Sequence, residues 1–501
     1  MSQKWNRREF QVALGVCASL APVKLMSKSF GASPQGELQG SGIVRATRGS
    51  VKLIAPPDVA RGEVWRYGLT YPFQVAPRTA AVFCNIRRVN NPGVDFEVGT
   101  DVVLFNDLSN FKPLSIAPVS RNHEEPNPNS NIPNEKSIMV KYPVAGAFVP
   151  WQAKGADGTA HPHAGTGFGI TSAIAWPLDD RDVNFSADRV GRRQFIGKQS
   201  YGYLELQQYS FDGKTFRVTS QRKLFRTENI GGWNLMERPI RNGIPDGDDL
   251  LLAFSAKENR REEREGNSTW RCGVSRWRRE NGNWKSVAFS PVTEYGEAFE
   301  PSLIRDLDGS LLFTARGLTE QNRCNIRVWK STDRGASWKL TLEALGPISM
   351  SPISINQAAD GTPFIGANLY EVPLFPIGDE RYNHSGYNTK NQGAGRQRLG
   401  GWLREKLVLW PLSKDRTRLE SPIVMRDCRQ EFGPPPGGSS WHADHPSSMV
   451  LQLADGNWHN VVGYRVLERA EATHAIKASA HSGAFIEEVI SAGSAMPAWN
   501  F

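Results

Sequence analysis

"FEPSLIRDLDGSLLFTAR", residues 299–316, reads as two strands folded about a turn. PSLIRDL alternates apolar and polar side chains, Asp308-Gly309 interrupts, and SLLFTA runs back apolar. Asp-Gly between two such runs is a strong hairpin signal, because the turn needs a positive φ that glycine adopts without strain. A hairpin here sets Glu300 and Arg316 side by side at its open end, one on each strand.

The same element returns as ERPIRNGIPDGDDLLLAFSA at 237–256, MSPISINQAADGTPFIGANL at 350–369 and DHPSSMVLQLADGNWHNVVGY at 444–464. Each copy joins a residue before proline, an apolar run, Asp-Gly and a second apolar run. A different hairpin alternates with it, clearest in Ser331-Thr332-Asp333-Arg334-Gly335-Ala336-Ser337-Trp338. In such a turn Asp and Ser tie down the backbone while Trp packs between neighbouring sheets. Weaker versions are SFDGKTF at 210–216, SRWRRENGNW at 275–284 and SKDRTRL at 413–419. Two hairpins make a four-stranded antiparallel unit that cannot bury both of its faces alone. Placed radially, such units cover one another as the blades of an all-β propeller. The repeats from 230 to 465 account for about four blades and residues 40–229 for two or three more, which predicts six blades, with seven as the alternative. A stacked sandwich leaves the alternation of the two hairpins unexplained.

Composition agrees with many short strands: among 501 residues there are 47 Gly, 32 Pro and 15 Trp. Residues 1–32 are of another kind. Asn6-Arg7-Arg8-Glu9-Phe10 precedes the apolar run QVALGVCASLAPV, and small residues follow near Gly31-Ala32. A basic start, an apolar centre and a small-residue end describe an export signal, and the paired arginines resemble the twin-arginine type. The alternative is a basic amphipathic first helix. Export predicts a periplasmic or extracellular protein organised as a leader at 1–32, divergent blades and loops at 40–229, and blades carrying the Ser331–Trp338 type of turn at 230–501, all one propeller domain. Losing the leader removes five cations and Glu9, leaving about +5 of the formal +9. That surplus suits an anionic partner such as an acidic glycan. No Lys/Arg block suggests nucleic-acid binding, and nothing after the leader is apolar for long enough to span a bilayer. Cys84, Cys272, Cys324 and Cys428 are far apart without CxxC spacing, which fits buried thiols or disulfides and speaks against structural zinc. Three segments break the rhythm: the Asn/Pro-rich stretch 119–137, the Gly-rich stretch 152–169, and the long loop 375–401 with Tyr382, His384 and Tyr387.

The residues before the four prolines are Arg238, Glu300, Ser351 and His445. In equivalent blades they occupy equivalent places near the axis at one mouth. An Arg, a Glu and a His gathered there suit anion binding and proton transfer. Hydrogen bonding of His445 to Asp444 or Ser448 is the plainer alternative. His161 and His163 face one way on a strand and His442 and His445 flank Asp444, but no spacing among them is diagnostic of a metal site, and no cofactor is expected.

Glu300 through Arg316 resembles the sialidase (neuraminidase) segment E-x7-D-G-x-L-L-x-x-x-R, and Ser331–Trp338 resembles the Asp-box (BNR repeat) S-x-D-x-G-x-x-W of the same superfamily. The resemblance covers roughly 230–465. It implies that Glu300 supports a tyrosine nucleophile and that Arg316 belongs to a triad gripping the substrate carboxylate. Arg238, in Glu237-Arg238-Pro239-Ile240, resembles the first triad arginine with its proline displaced, and Arg404 in LREKLVLWPLS resembles the third. The departures are specific. Pro446 stands where the family has its Tyr, with His445 as its neighbour, and the expected acid is replaced by the charged loop 257–267, where Glu265 is the candidate. The expectation is an exported exo-glycosidase cleaving terminal carboxylated sugars. Glu300, His445 and Glu265 would move protons; Arg238, Arg316 and Arg404 would hold the carboxylate. Tyr387 and Trp441 would contact the sugar, Trp441 and Trp151 by stacking. The alternatives are a lyase or His-dependent glycosidase on uronic-acid glycans, and a carbohydrate-binding propeller without catalysis.

Overall fold

A computed structural model describes residues 43–45, 51–55, 64–89, 98–155, 157–177, 201–224, 233–237, 241–258, 270–319, 324–345, 347–349, 351–369, 404–470 and 479–491, with Asn322 and Lys477. Their strands form six antiparallel sheets. The innermost strands are Trp65–Ala76, Ala145–Val149, Ile244–Asp246, Ala298–Arg305, Ser354–Gln357 and Ser439–Gln452, in blades 1 to 6. Successive inner strands touch, and that of blade 6 returns to blade 1, so the ring closes. Six blades are therefore the count. Four come from the repeat region and two from residues 64–224.

The closure itself was not legible. Val51–Leu53 and Ile43–Arg45 do not start a blade; both pair with Gly483–Ser491 and complete blade 6 from the other end of the chain. The stretch 119–137 is likewise more than loop. His123–Pro126 and Lys136–Lys141 form a hairpin that pairs with the second half of Thr166–Pro177 and extends blade 2. All four cysteines in the described region are free and buried, which removes the disulfide alternative.

Three of the four Asp-Gly hairpins share one geometry, and the fourth closes tightly through Gly247-Asp248, with Asp246 paired to Asp249. Asp306 N–H donates to Ser310 O and Gly309 N–H to Asp306 O, with Gly309 at φ +81°. Ala358–Thr362 and Leu453–Asn457 repeat both bonds, with their glycines at +85° and +83°. These are three-residue loops ending in a left-handed glycine, one residue longer than the tightest Asp-Gly turn. Between the third and fourth strands of blade 4, the Ser331–Trp338 turn is tied as its residue types predict. Asp333 accepts from Ser331 Oγ at 2.7 Å and Ser337 N at 2.9 Å, and Ser331 Oγ accepts from Gly335 N at 2.8 Å. Trp338 lies edge-on to Phe313, and its Nε1 reaches Ser290 of blade 3. The corresponding turn of blade 3 contributes Trp277 and Trp284, both 1% exposed and packed on Phe168 of blade 2. Truncating either indole to Ala costs about 3–5 kcal/mol.

Neutral side chains stitch the hub. The Gln74 side-chain amide donates to Gln452 O and accepts from Gln452 N, joining blade 1 to blade 6. Asn242 joins blade 3 to Tyr71 O and Pro72 O of blade 1 and to Gly146 N of blade 2. Ser302 Oγ accepts from Ile355 N, and Asn356 Oδ1 from Ser448 N. Inner strands lack outer neighbours on the axial side, so their backbone groups would otherwise stay unpaired.

Candidate active site

Two inner strands break their ladders at the proline. In blade 4, Phe299 pairs with Arg316 and Pro301 with Ala315, leaving Glu300 extruded between them. In blade 6, Asp444 pairs with Arg465 and Ser447 with Gly463, leaving His445 and Pro446 in the gap. Proline has no N–H to give the ladder, so pairing fails there and a bulge forms. Glu300 and His445 take φ of +52° and +56°, left-handed values that cost a non-glycine residue about 1–2 kcal/mol each. Strain of this kind held in register by neighbours is a feature of functional sites.

The bulges aim charges at one another. Arg316 Nη1 donates to Glu300 Oε2 at 2.9 Å, and its guanidinium lies 4.7 Å over the Phe299 ring. Asp444, fully buried, is the hub carboxylate. It accepts from Arg404 Nη1 at 2.5 Å, from Arg465 Nε at 2.5 Å and Nη2 at 3.3 Å, and from His445 Nδ1 at 2.8 Å. The strand that carries Asp444 is fixed from blade 5: Asn368 Nδ2 donates to Ala443 O at 2.7 Å, Ser354 Oγ donates to Pro446 O, and Ala443 N donates to Arg404 O.

Burial alone would raise the Asp444 carboxyl, but Arg465, His445 and Arg404 hold it well below the usual carboxylate range. Burial lowers His445 to about 4, against the pull of Asp444. At neutral pH the imidazole is therefore uncharged. Its Nδ1–H faces Asp444, and Nε2, the acceptor, makes no hydrogen bond among the described residues. Burial also lowers Arg404, Asp444 opposes this, and the nearby charge of Arg316 lowers it further. Glu300 in turn raises His445 slightly. The two hairpins thus share one electrostatic field. Among the described residues the cluster holds three guanidinium groups and two carboxylates. Arg316 Nε is buried with no hydrogen-bond acceptor among the described residues.

Of the residues expected from sequence, Glu300, Arg316, Arg404 and His445 lie in this cluster. Arg404 is placed differently from the expectation: it is 6% exposed and its guanidinium grips Asp444. Arg238, Glu265 and Tyr387 lie outside the described residues, as do Tyr382 and His384. Trp441 is no sugar platform. It is 2% exposed, its Nε1 donates to Gly433 O at 2.9 Å, and its ring packs against Phe432 and His481, because its strand position faces the blade 6 core. Ser351 is fully buried. Tyr464, the tyrosine nearest in sequence to Pro446, does not stand in for the missing nucleophile: it spends its hydroxyl on Arg426 and Glu487. His161 is buried and its Nδ1 accepts from His163 N. Asp444 and Arg465 are two of the six residues of the cluster and were missed as site residues. A signal existed: Arg465 stands opposite the residue before His445, as Arg316 stands opposite the residue before Glu300.

Fold and site together define a six-bladed propeller with a buried, arginine-rich ion cluster at the proline-side end of its axis. No family model matches the chain, and no curated protein matches it. Among solved structures, a protein of unknown function from Dyadobacter fermentans is similar at 12% identity and TM-score 0.48, over 90% of this chain and 99% of that one. Trypanosoma rangeli sialidase is similar at 12% identity and TM-score 0.47, over 89% of this chain and 60% of that one. A Hadza microbial sialidase is similar at 12% identity and TM-score 0.45, over 84% and 65%. At these values the likenesses decide nothing about chemistry, and the site stands on the contacts given above.

Proposed function

We propose that the proline-side mouth cleaves a terminal carboxylated sugar from a glycan, with His445 as general base and Arg316 as the direct donor to the substrate carboxylate. The observation that carries this reading is a neutral, Asp-oriented imidazole beside a buried guanidinium with an unused N–H. A neutral base does not repel a substrate carboxylate, the requirement that a carboxylate nucleophile fails beside the anomeric carbon of an acidic sugar. Asp444 fixes the tautomer and stabilises the imidazolium as it forms. In hydrolysis His445 Nε2 takes a proton from water, the water oxygen bonds the anomeric carbon, and the glycosidic C–O bond breaks. The leaving oxygen takes a proton from an acid, for which Glu265 remains the candidate. Arg404 and Arg465 hold Asp444 and set the positive field.

One observation favours a second reaction. The described cluster contains a base and cations but no group placed as a protonated acid, which suits elimination on a uronate. There Nε2 removes the proton next to the carboxylate, the electron pair becomes the new C=C bond, the C–O bond to the leaving sugar breaks, and the departing oxygen takes the proton back from the imidazolium; the arginines stabilise the charge that develops. Acidic glycans incubated with the protein separate the two, since elimination gives an ultraviolet-absorbing unsaturated product and hydrolysis does not. Absence of turnover on a broad acidic panel, with glycan binding intact in His445→Gln, would leave the protein a binding propeller and overturn both. We also assign residues 1–32 to export, which predicts a mature N-terminus after the leader in the exported fraction.

A further inference from the structure

The other end of the axis carries a site of different chemistry. Where the inner strands run into their turns, a cavity of about 300 Å³ opens, lined by Trp151, Trp458, Phe148, Met449 and Arg241 among others. That volume lies at the lower end of small-molecule pockets. Three of its lining residues are cationic, Arg241, Arg305 and Lys154, and none is acidic.

Arg241 is the unusual member. It is 4% exposed, and its hydrogen bonds go only to backbone oxygens and sulfur: Nε to Ser448 O at 3.1 Å, Nη1 to Leu303 O at 2.8 Å and Asn242 O at 3.3 Å, with Nη2 3.9 Å from Met449 Sδ. Among the described residues no carboxylate opposes it, and burial lowers it to about 10. A buried charge without a counter-charge is costly, and apart from the ion cluster of the proline side the hub ties described above are made by neutral Gln, Asn and Ser side chains. Neutral amides therefore suffice for stitching blades, and the charged tie borders the cavity. Arg305, by contrast, is committed to Asp246. Trp151 is set in place by glycines: a Cβ at Gly165 would meet its ring at 2.6 Å. The sequence offered Trp151 as a sugar-stacking ring, but its position is at this mouth.

We infer that the turn-side cavity binds a small carboxylate on an aromatic body, the anion meeting Arg241 and the ring packing on Trp151 and Trp458. The aromatic and aliphatic part of the lining favours a flat apolar body over a heavily hydroxylated one, and the buried Arg241 guanidinium selects one anionic group. The site is independent of the proline-side chemistry.

The test uses the full chain and isothermal titration calorimetry with phenylacetate, its neutral counterpart phenylacetamide, and glucuronate. Phenylacetate should bind, with phenylacetamide and glucuronate each at least tenfold weaker. Trp151→Ala and Arg241→Met should each weaken phenylacetate at least tenfold, and Arg316→Ala should leave it unchanged. Equal binding of phenylacetate and phenylacetamide, no effect of Trp151→Ala, or loss in Arg316→Ala would each overturn the assignment. Should Arg241→Met unfold the ring, the acid–amide pair on the unaltered protein and Trp151→Ala still decide it.

Discussion

The two mouths of this propeller are built from opposite ends of the same inner strands, and they differ in almost every physical respect. At the turn side, Gly309, Gly361 and Gly456 take the positive φ that their loops need, and the cavity is apolar with one buried cation. At the proline side, the positive φ falls on Glu300 and His445, and five charged groups crowd around one buried imidazole. Non-glycine residues at the turn side take positive φ as well, Arg78, Arg334 and Arg416 among them, but they do so in turns, whereas Glu300 and His445 do so inside their ladders. The difference teaches where the stability of the ring is at risk.

Removing the hub carboxylate should break that contrast most severely. Asp444→Asn leaves Arg404 and Arg465 buried without their counter-charge, and the expected loss is about 3–5 kcal/mol, read from denaturant midpoints, together with all activity. A variant as stable as the parent would mean that the proline side does not depend on its ion cluster. Next comes His445→Gln, which should lower kcat about 10²–10⁴-fold on an acidic glycan without unfolding the ring. In the unaltered protein kcat/KM should hold across neutral pH and fall as pH drops through about 4, where His445 takes its proton.

Stability against pH sharpens the same comparison. His442 and His445 are lowered by burial, so the unfolded chain binds their protons first. Their contribution is present above the ordinary histidine range and is lost as pH falls below it, for His445 through about 4. His459, on the turn side, is raised by its hydrogen bond to Glu488, with burial opposing and Asp455 assisting. Its contribution is present at low pH and lost as pH rises through its raised value. His445→Gln should therefore flatten the acid loss of melting temperature and His459→Gln should steepen it. The reverse pattern would show that the two ends had been assigned wrongly.

Smaller effects belong to the turn side. Arg416, in the turn after the third strand of blade 5, donates through Nε and Nη2 to Asp306 of blade 4. Arg334 makes the matching contact from blade 4 to Asp246 of blade 3 at 2.9 Å. Arg416→Ala leaves Asp306 buried with two acceptor bonds gone, a loss of about 1–3 kcal/mol in chemical denaturation. Gly309→Ala should cost only about 1 kcal/mol, the backbone penalty alone, since nothing lies within 4 Å of the added Cβ. Gly361→Ala should cost more, because its Cβ would meet Leu307 at 2.5 Å.

Glu300 and Arg316 were legible together because a hairpin is local: an Asp-Gly turn sets the register, and register sets which ends meet. Arg465 was not, because its hairpin runs nine residues from glycine to arginine where the first runs seven, and the wider bulge absorbs the excess. Asp444 could be named as a partner of His445, but its grip on Arg404 and Arg465 joins two blades. Trp441 shows the opposite failure. Its residue type suits sugar stacking, and only the facing of its strand puts the ring in the core.

What the sequence determined by itself was the repeat: two kinds of hairpin, each closed by turn residues whose conformational needs are local, and hence blades that must cover one another. Tertiary structure decided the rest. It chose six blades by bringing residues 43–53 to the last sheet, and it brought Arg316 and Arg404 close enough to act on each other. The reason is physical: turn chemistry acts over a few residues, whereas burial and charge act through space, between strands that the chain order keeps far apart.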